Sequence, residues 1–142
     1  MIVVDTNVWS ETLRERPDPA VIDWLRAHHG DLRMPVTARH ELLVGTLLLP
    51  TGRRRDDLSV AIERMLKSML ARTLPYDAAA ADAYARIRAQ AQRAGRALSS
   101  EDGQILGIAL AQDAAVATRN HRDFADLGVP LIDPWTWHAQ TD

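Results

Sequence analysis

Four carboxylates stand where a side-chain anion serves either as a structural cap or as a ligand: Asp5, Glu41, Asp102 and Asp123. Asp5 closes the apolar run Ile2-Val3-Val4, and Asp123 follows strand-like residues 115–118 in the segment Arg119-Asn120-His121-Arg122-Asp123. Open parallel sheets bind ligands outside the carboxyl ends of their strands, so acids from two such ends can converge on one crevice. Each acid alone also fits a turn or a helix start, which Asp favours. Glu41 has Ala38, Val44, Gly45 and Leu48 as helical neighbours. That apolar stripe is expected to face the core, where a carboxylate must be paired or coordinated. A Glu at the margin of the stripe, or one partnered by Arg39, is the plainer alternative. Asp102 stands third in a helix that Ser99 caps, a position favoured by the helix dipole and equally open to an ion at the helix mouth.

With no cysteine in the chain, disulfides, thiolate nucleophiles and Cys-ligated zinc are excluded. Oxygen donors from separate segments suit a hard cation, Mg²⁺ or Mn²⁺, with waters and substrate phosphate completing its shell. Calcium fits less well, since no Asp-rich twelve-residue loop is present. The five histidines show neither an i, i+4 pair nor zinc spacing.

The elements that must position these acids alternate between short strands and helices. Strands are predicted at 1–5, 32–36, 73–75, 115–118 and 129–132. Helices are predicted at 8–14, 20–29, 37–48 (capped by Thr37), 54–72, 78–94 (capped by Asp77) and 99–113. Such alternation implies a parallel sheet with helices on both faces. The length of 142 residues suits one domain over 1–142, and 46% hydrophobic with 25% charged residues is a globular balance. No apolar run reaches membrane-spanning length, so a cytoplasmic location is expected. Residues 50–100 hold ten basic groups against five acids, and the remainder holds seven against fourteen. A basic middle of this kind would let a phosphate backbone lie on one surface.

Five motifs in order carry a family resemblance: Met1-Ile-Val-Val-Asp-Thr-Asn-Val-Trp-Ser-Glu11, Thr37-Ala-Arg-His-Glu-Leu-Leu-Val-Gly45, Ser100-Glu-Asp-Gly-Gln-Ile-Leu-Gly-Ile-Ala109, Ala117-Thr-Arg-Asn-His-Arg-Asp-Phe124 and Asp133-Pro-Trp135. The chain resembles PIN-domain proteins of the VapC toxin type, most closely the FitB-like branch. The resemblance implies an α/β/α sandwich with strand order 3-2-1-4-5. It further implies a Mg²⁺- or Mn²⁺-dependent endoribonuclease, the toxin of a toxin–antitoxin pair, hydrolysing RNA with an activated water. The implied partners are RNA, a cognate antitoxin with a DNA-binding N-terminal part, and a second copy of the chain. Apolar faces on helices 37–48 and 54–72 would suit the two protein partners.

By the same resemblance the catalytic and metal-holding quartet is Asp5, Glu41, Asp102 and Asp123. Some members carry the last acid where this chain has Asn120. Thr6, Asn7, Thr118 and Asn120 would orient carboxylates and waters, and Arg119 or Arg122 would hold a phosphate oxygen. Trp135 is expected to pack rather than to stack on a base, and Trp9 to form a wall of the first helix.

Two other readings compete. One is a non-catalytic PIN-fold partner of a ribbon-helix-helix DNA-binding antitoxin. The other is an aspartyl-phosphate phosphatase with Asp5 as nucleophile, which wants an acid where Asn7 stands and a Lys nearer than Lys67.

Overall fold

The structure, a computed structural model, describes residues 1–140. Five parallel strands form its centre: β1 (Ile2–Val4), β2 (Leu32–Pro35), β3 (Thr73–Leu74), β4 (Ala115–Ala117) and β5 (Leu131–Ile132), in the order β3-β2-β1-β4-β5. This is the predicted order, with β1 central between β2 and β4. Side chains alternate across a strand, and the two faces separate cleanly. Ile2, Val4, Leu32, Met34 and Ala117 enter one core cluster, whereas Val3 and Val116 enter the other.

Helices α1 (Thr6–Glu11), α2 (Pro19–Ala27), α3 (Val36–Leu47) and α4 (Arg53–Met69) supply the first cluster through Val8, Val21, Trp24, Leu42, Ile62 and Leu66. Helices α5 (Ala78–Arg93), α6 (Ser100–Ala111) and α7 (His121–Phe124) supply the second through Ile87, Ile105, Leu106 and Phe124. Helix α6 is buried on nearly every side, from Gly103 to Ala109. It crosses α5 so closely that a Cβ on Gly107 would lie 2.6 Å from the carbonyl oxygen of Ala80. Only the absence of a side chain permits that approach.

Several local expectations are corrected. Helix α1 starts at Thr6 rather than Val8, because Asp5 caps it by accepting the Thr6 amide at 2.7 Å. Thr37 is no cap: α3 begins at Val36, and the Thr37 hydroxyl donates to Gln104 at 3.0 Å instead. Asp77 and Ser99 do cap α5 and α6. Helix α7 was not anticipated, since four residues carry no readable period. The basic middle does not make one surface. Seven of its nine arginines divide between α4 and α5, which pack on opposite faces of the sheet. Among the described residues no helix is long and apolar enough to cross a membrane.

Candidate active site

The carboxyl ends of β1 and β4, the start of α6 and the middle of α3 face a cavity of about 480 Å³. Asp5, Glu41 and Asp102 all line it, with Thr6, Asn7, Arg119 and Asn120. Parallel pairing of β1 with β4 sets Val4 beside Ala117, which brings the residues after each strand together.

Asp5 is 5% exposed. One carboxylate oxygen accepts the Thr6 amide and the other the Thr118 hydroxyl, both at 2.7 Å. Burial pushes its pKa up to about 6, the charges of Asp102 and Glu41 add to the rise, and the two hydrogen bonds oppose it. Thr118 is fully buried, and its hydroxyl oxygen accepts the Asn120 amide at 2.9 Å and the Asn7 side-chain amide at 3.4 Å. Asn7 in turn accepts the Arg119 backbone amide at 3.4 Å. The four polar residues named with the quartet thus form one hydrogen-bonded set around Asp5 and Glu41.

Glu41 is half-buried and accepts the Thr6 hydroxyl at 2.8 Å. The apolar stripe expected to carry it into the core does not face the core. Val44, Gly45 and Leu48 face solvent, and the buried row of α3 is Ala38, Leu42 and Thr46. Glu41 therefore lies at the margin of the core, paired with Thr6 and not with Arg39. Apolar periodicity marks a face, but it does not say whether that face meets the core or water.

Asp102 stands in the Ser99-capped first turn of α6, as expected, and at the mouth of the cavity. Its amide donates to the Ser99 cap at 3.1 Å, and its carboxyl lines the cavity. Burial raises its pKa, and the charges of Glu41, Asp123 and Glu101 add to that, against the lowering effect of Ser99. Asp123 and Arg122 do not line the cavity. Both are exposed on α7, and Asp123 reaches the site only through its charge on Asp102.

Sequence reading passed over Glu11, which is buried beside the cavity. It accepts the Asp18 amide at 2.9 Å and pairs with Arg14 at 3.3 Å, so it joins α1 to α2. It lies four residues after Asn7, one helical turn along the same face, and that spacing was the available signal. Trp135, expected to pack rather than to stack on a base, packs on the first core cluster and also lines the cavity. The Trp9 indole donates to the Val4 carbonyl at 2.9 Å, a wall of the first helix as expected. Lys67 is exposed on α4 and is no counter-charge for Asp5, which removes support for the phosphatase reading.

The donor set is all oxygen, which fits Mg²⁺ or Mn²⁺ in kind. Among the described residues no three Asp, Glu or His side chains gather closely enough to hold an ion by themselves. The fit is therefore to a cation that keeps most of its waters and takes one or two carboxylates. A neighbouring groove of about 910 Å³ runs between α1, α3 and α4, lined by Leu13, Leu42, Leu49, Leu58 and Ile62, and it shares Glu41 with the acid cavity.

The PIN domain family matches residues 2–130, nearly the whole chain. The chain belongs to that family. It is 39% identical over 137 residues to the plasmid stability protein StbB of Pseudomonas syringae pv. tomato, covering 95% of this chain and 99% of that one. It is 36% identical to the VapC ribonuclease Y4jK of Sinorhizobium fredii, covering 95% and 98%. The toxin FitB of Neisseria gonorrhoeae is 34% identical over 95% of this chain and 99% of its own. A crystal structure of FitAcB from that organism superposes on this PIN domain with a TM-score of 0.89, covering 96% of this chain and 100% of that one. The PIN assignment and the parallel α/β/α sandwich thus agree with the expectation from sequence.

Proposed function

We propose that this PIN domain is a metal-dependent endoribonuclease and the toxin of a toxin–antitoxin pair. The observation that carries the reading is a single one. Three carboxylates from β1, α3 and α6 share one cavity, and burial together with their mutual repulsion holds Asp5 near pKa 6. Anions crowded in this way are costly without a cation. The relative named a VapC ribonuclease and the relative named toxin FitB support the activity and the toxin role.

Asp5 with Glu41 or Asp102 would hold Mg²⁺ or Mn²⁺. Bound there, the ion would supply Lewis acidity for the attack of water on phosphorus and neutralise charge on the phosphate oxygens. Thr118 fixes the Asp5 carboxylate, Thr6 fixes Glu41, and Asn7 and Asn120 hold Thr118 in turn. Arg119 receives a non-bridging phosphate oxygen. Asp123 acts from outside the cavity, through its charge.

The partners proposed are an antitoxin with a DNA-binding N-terminal part and a second copy of this chain. The apolar groove between α1, α3 and α4 leads a partner segment to Glu41, and Val44, Leu47 and Leu48 offer an exposed apolar row on α3.

The test is cleavage of single-stranded RNA by the purified chain, with Mg²⁺ or Mn²⁺ against a chelator. Cleavage that needs the ion, leaves 5′-phosphate ends and vanishes in Asp5→Asn and Asp102→Asn is expected. Full activity in either variant refutes the assignment. A wild-type chain that forms an antitoxin complex but never cuts RNA favours the non-catalytic reading.

A further inference from the structure

Two arginines line the acid cavity, and they are differently placed. Arg14 is paired with Glu11 at 3.3 Å. Arg119 takes part in no ion pair among the described residues, although it lines a cavity that holds three carboxylates. Its guanidinium lies instead over the Trp135 ring, 5.0 Å from the centroid.

Both members of this contact are anchored by backbone hydrogen bonds. Arg119 is tied through its amide to Asn7 at 3.4 Å. Trp135 sits in the turn Pro134–Thr136, where Asp133 accepts its amide at 2.9 Å. The buried side of the indole packs on the first core cluster, and the residue as a whole is only partly buried. The turn follows β5, whose register beside β4 sets Ile132 against Ala117 and so brings residues 133–135 alongside 118–120. An aromatic face holds a cation without neutralising it. An acidic partner would cancel the charge, and the cavity's own carboxylates would fold the side chain inward.

We propose that Trp135 is a positioning residue: its ring holds the Arg119 guanidinium at the rim of the acid-lined cavity, extended and free to take a phosphate oxygen of single-stranded RNA. The inference rests on the nuclease reading above and adds a residue that acts through Arg119 without itself touching the reacting atoms. A flexible arginine loses rotamer freedom on gripping phosphate, and a ring that restrains it beforehand lessens that loss.

The experiment is a double-mutant cycle on the steady-state kinetics of RNA cleavage by the whole chain, with Arg119→Ala, Trp135→Leu, the double variant and Trp135→Phe. Arg119→Ala is expected to lower kcat/KM on the order of tenfold, the worth of a charged hydrogen bond. Trp135→Leu is expected to raise KM about three- to fivefold with little change in kcat, and Trp135→Phe to restore most of that loss. In the Arg119→Ala background the Trp135 change is expected to cost less than about 1.5-fold. Fluorinated tryptophans inserted at position 135 keep the shape of the ring and weaken only its hold on a cation, so KM should climb with fluorine number even if Trp135→Leu does not fold. If the two losses multiply independently, or if fluorination leaves KM flat, the positioning role is overturned while the nuclease reading stands. A wild-type chain that never cleaves RNA removes both.

Discussion

Replacing Asp5 by Asn isolates the electrostatic cost of the site. The folded carboxyl has a pKa of about 6 against an ordinary 3.8, so between those values the folded chain keeps a proton that the unfolded chain has lost. Stability therefore falls as pH rises through this window, and the full penalty is present above it. The difference corresponds to about 3 kcal/mol, an upper bound for a side chain as buried as Asp5. An amide resembles the protonated acid: each is neutral, each keeps one oxygen that accepts the Thr6 amide, and each weakens the hydrogen bond that the Thr118 hydroxyl donates. Wild type and Asp5→Asn should thus match at pH 4 to within about 1 kcal/mol. At pH 7 in chelator the variant should be the more stable by up to about 3 kcal/mol, roughly 6–12 °C in Tm. The charge coupling between Asp5 and Asp102 is mutual, so the comparison reports the joint slope of the two carboxyls. Urea unfolding at half-unit steps from pH 4 to 7.5 gives the two curves directly. Added Mg²⁺ should then raise the Tm of wild type and leave the variant unmoved, with about 1.4 kcal/mol for each tenfold excess over Kd. Parallel pH curves, or an equal response of both proteins to Mg²⁺, would refute the argument that Asp5 is a buried anion awaiting a cation.

Other outcomes follow from the same geometry. Thr118→Val removes a hydrogen bond that holds the Asp5 carboxyl down, so the acid limb of the pH–rate profile should move up by about one pH unit and kcat/KM should fall about tenfold. Asp102→Asn should abolish cleavage, whereas Asp123→Asn, outside the cavity, should cost no more than about tenfold, read by the same assay. Gly107→Ala drives a methyl group against the Ala80 backbone and should destabilise by about 1–3 kcal/mol in urea unfolding, with no direct change at the carboxylates. Leu48 is 79% exposed, so Leu48→Lys should leave monomer stability within about 0.5 kcal/mol and weaken self-association in sedimentation.

Much of the framework is written locally. The run Ile2-Val3-Val4 is apolar on both faces because β1 is buried on both, and no half-exposed strand reads that way. Asp77 and Ser99 announce their helices because capping is a contact over two or three residues, visible wherever the chain goes next. The order of five motifs is likewise a property of the linear chain, and it carried the family and the strand order with it. Asp5 was legible as the acid at a strand end, and the parallel sheet made that end a natural crevice.

What depended on distance through space was not legible. Thr6 finds Glu41 across 35 positions and Thr118 finds Asp5 across 113, so no window of sequence contains either pair. The α3 stripe misled because periodicity reports that a face is apolar, while only packing decides which apolar face the rest of the chain covers. Which acids the chain owns, which elements carry them and in what order are legible along the chain. The tertiary structure alone decided that Asp5, Glu41 and Asp102 share a cavity, that Asp123 stands outside it, and that Arg119 rests on Trp135. The physical reason is that ligand geometry and pKa arise from burial and distance, which exist only once β1, α3, α6 and the turn after β5 have packed together.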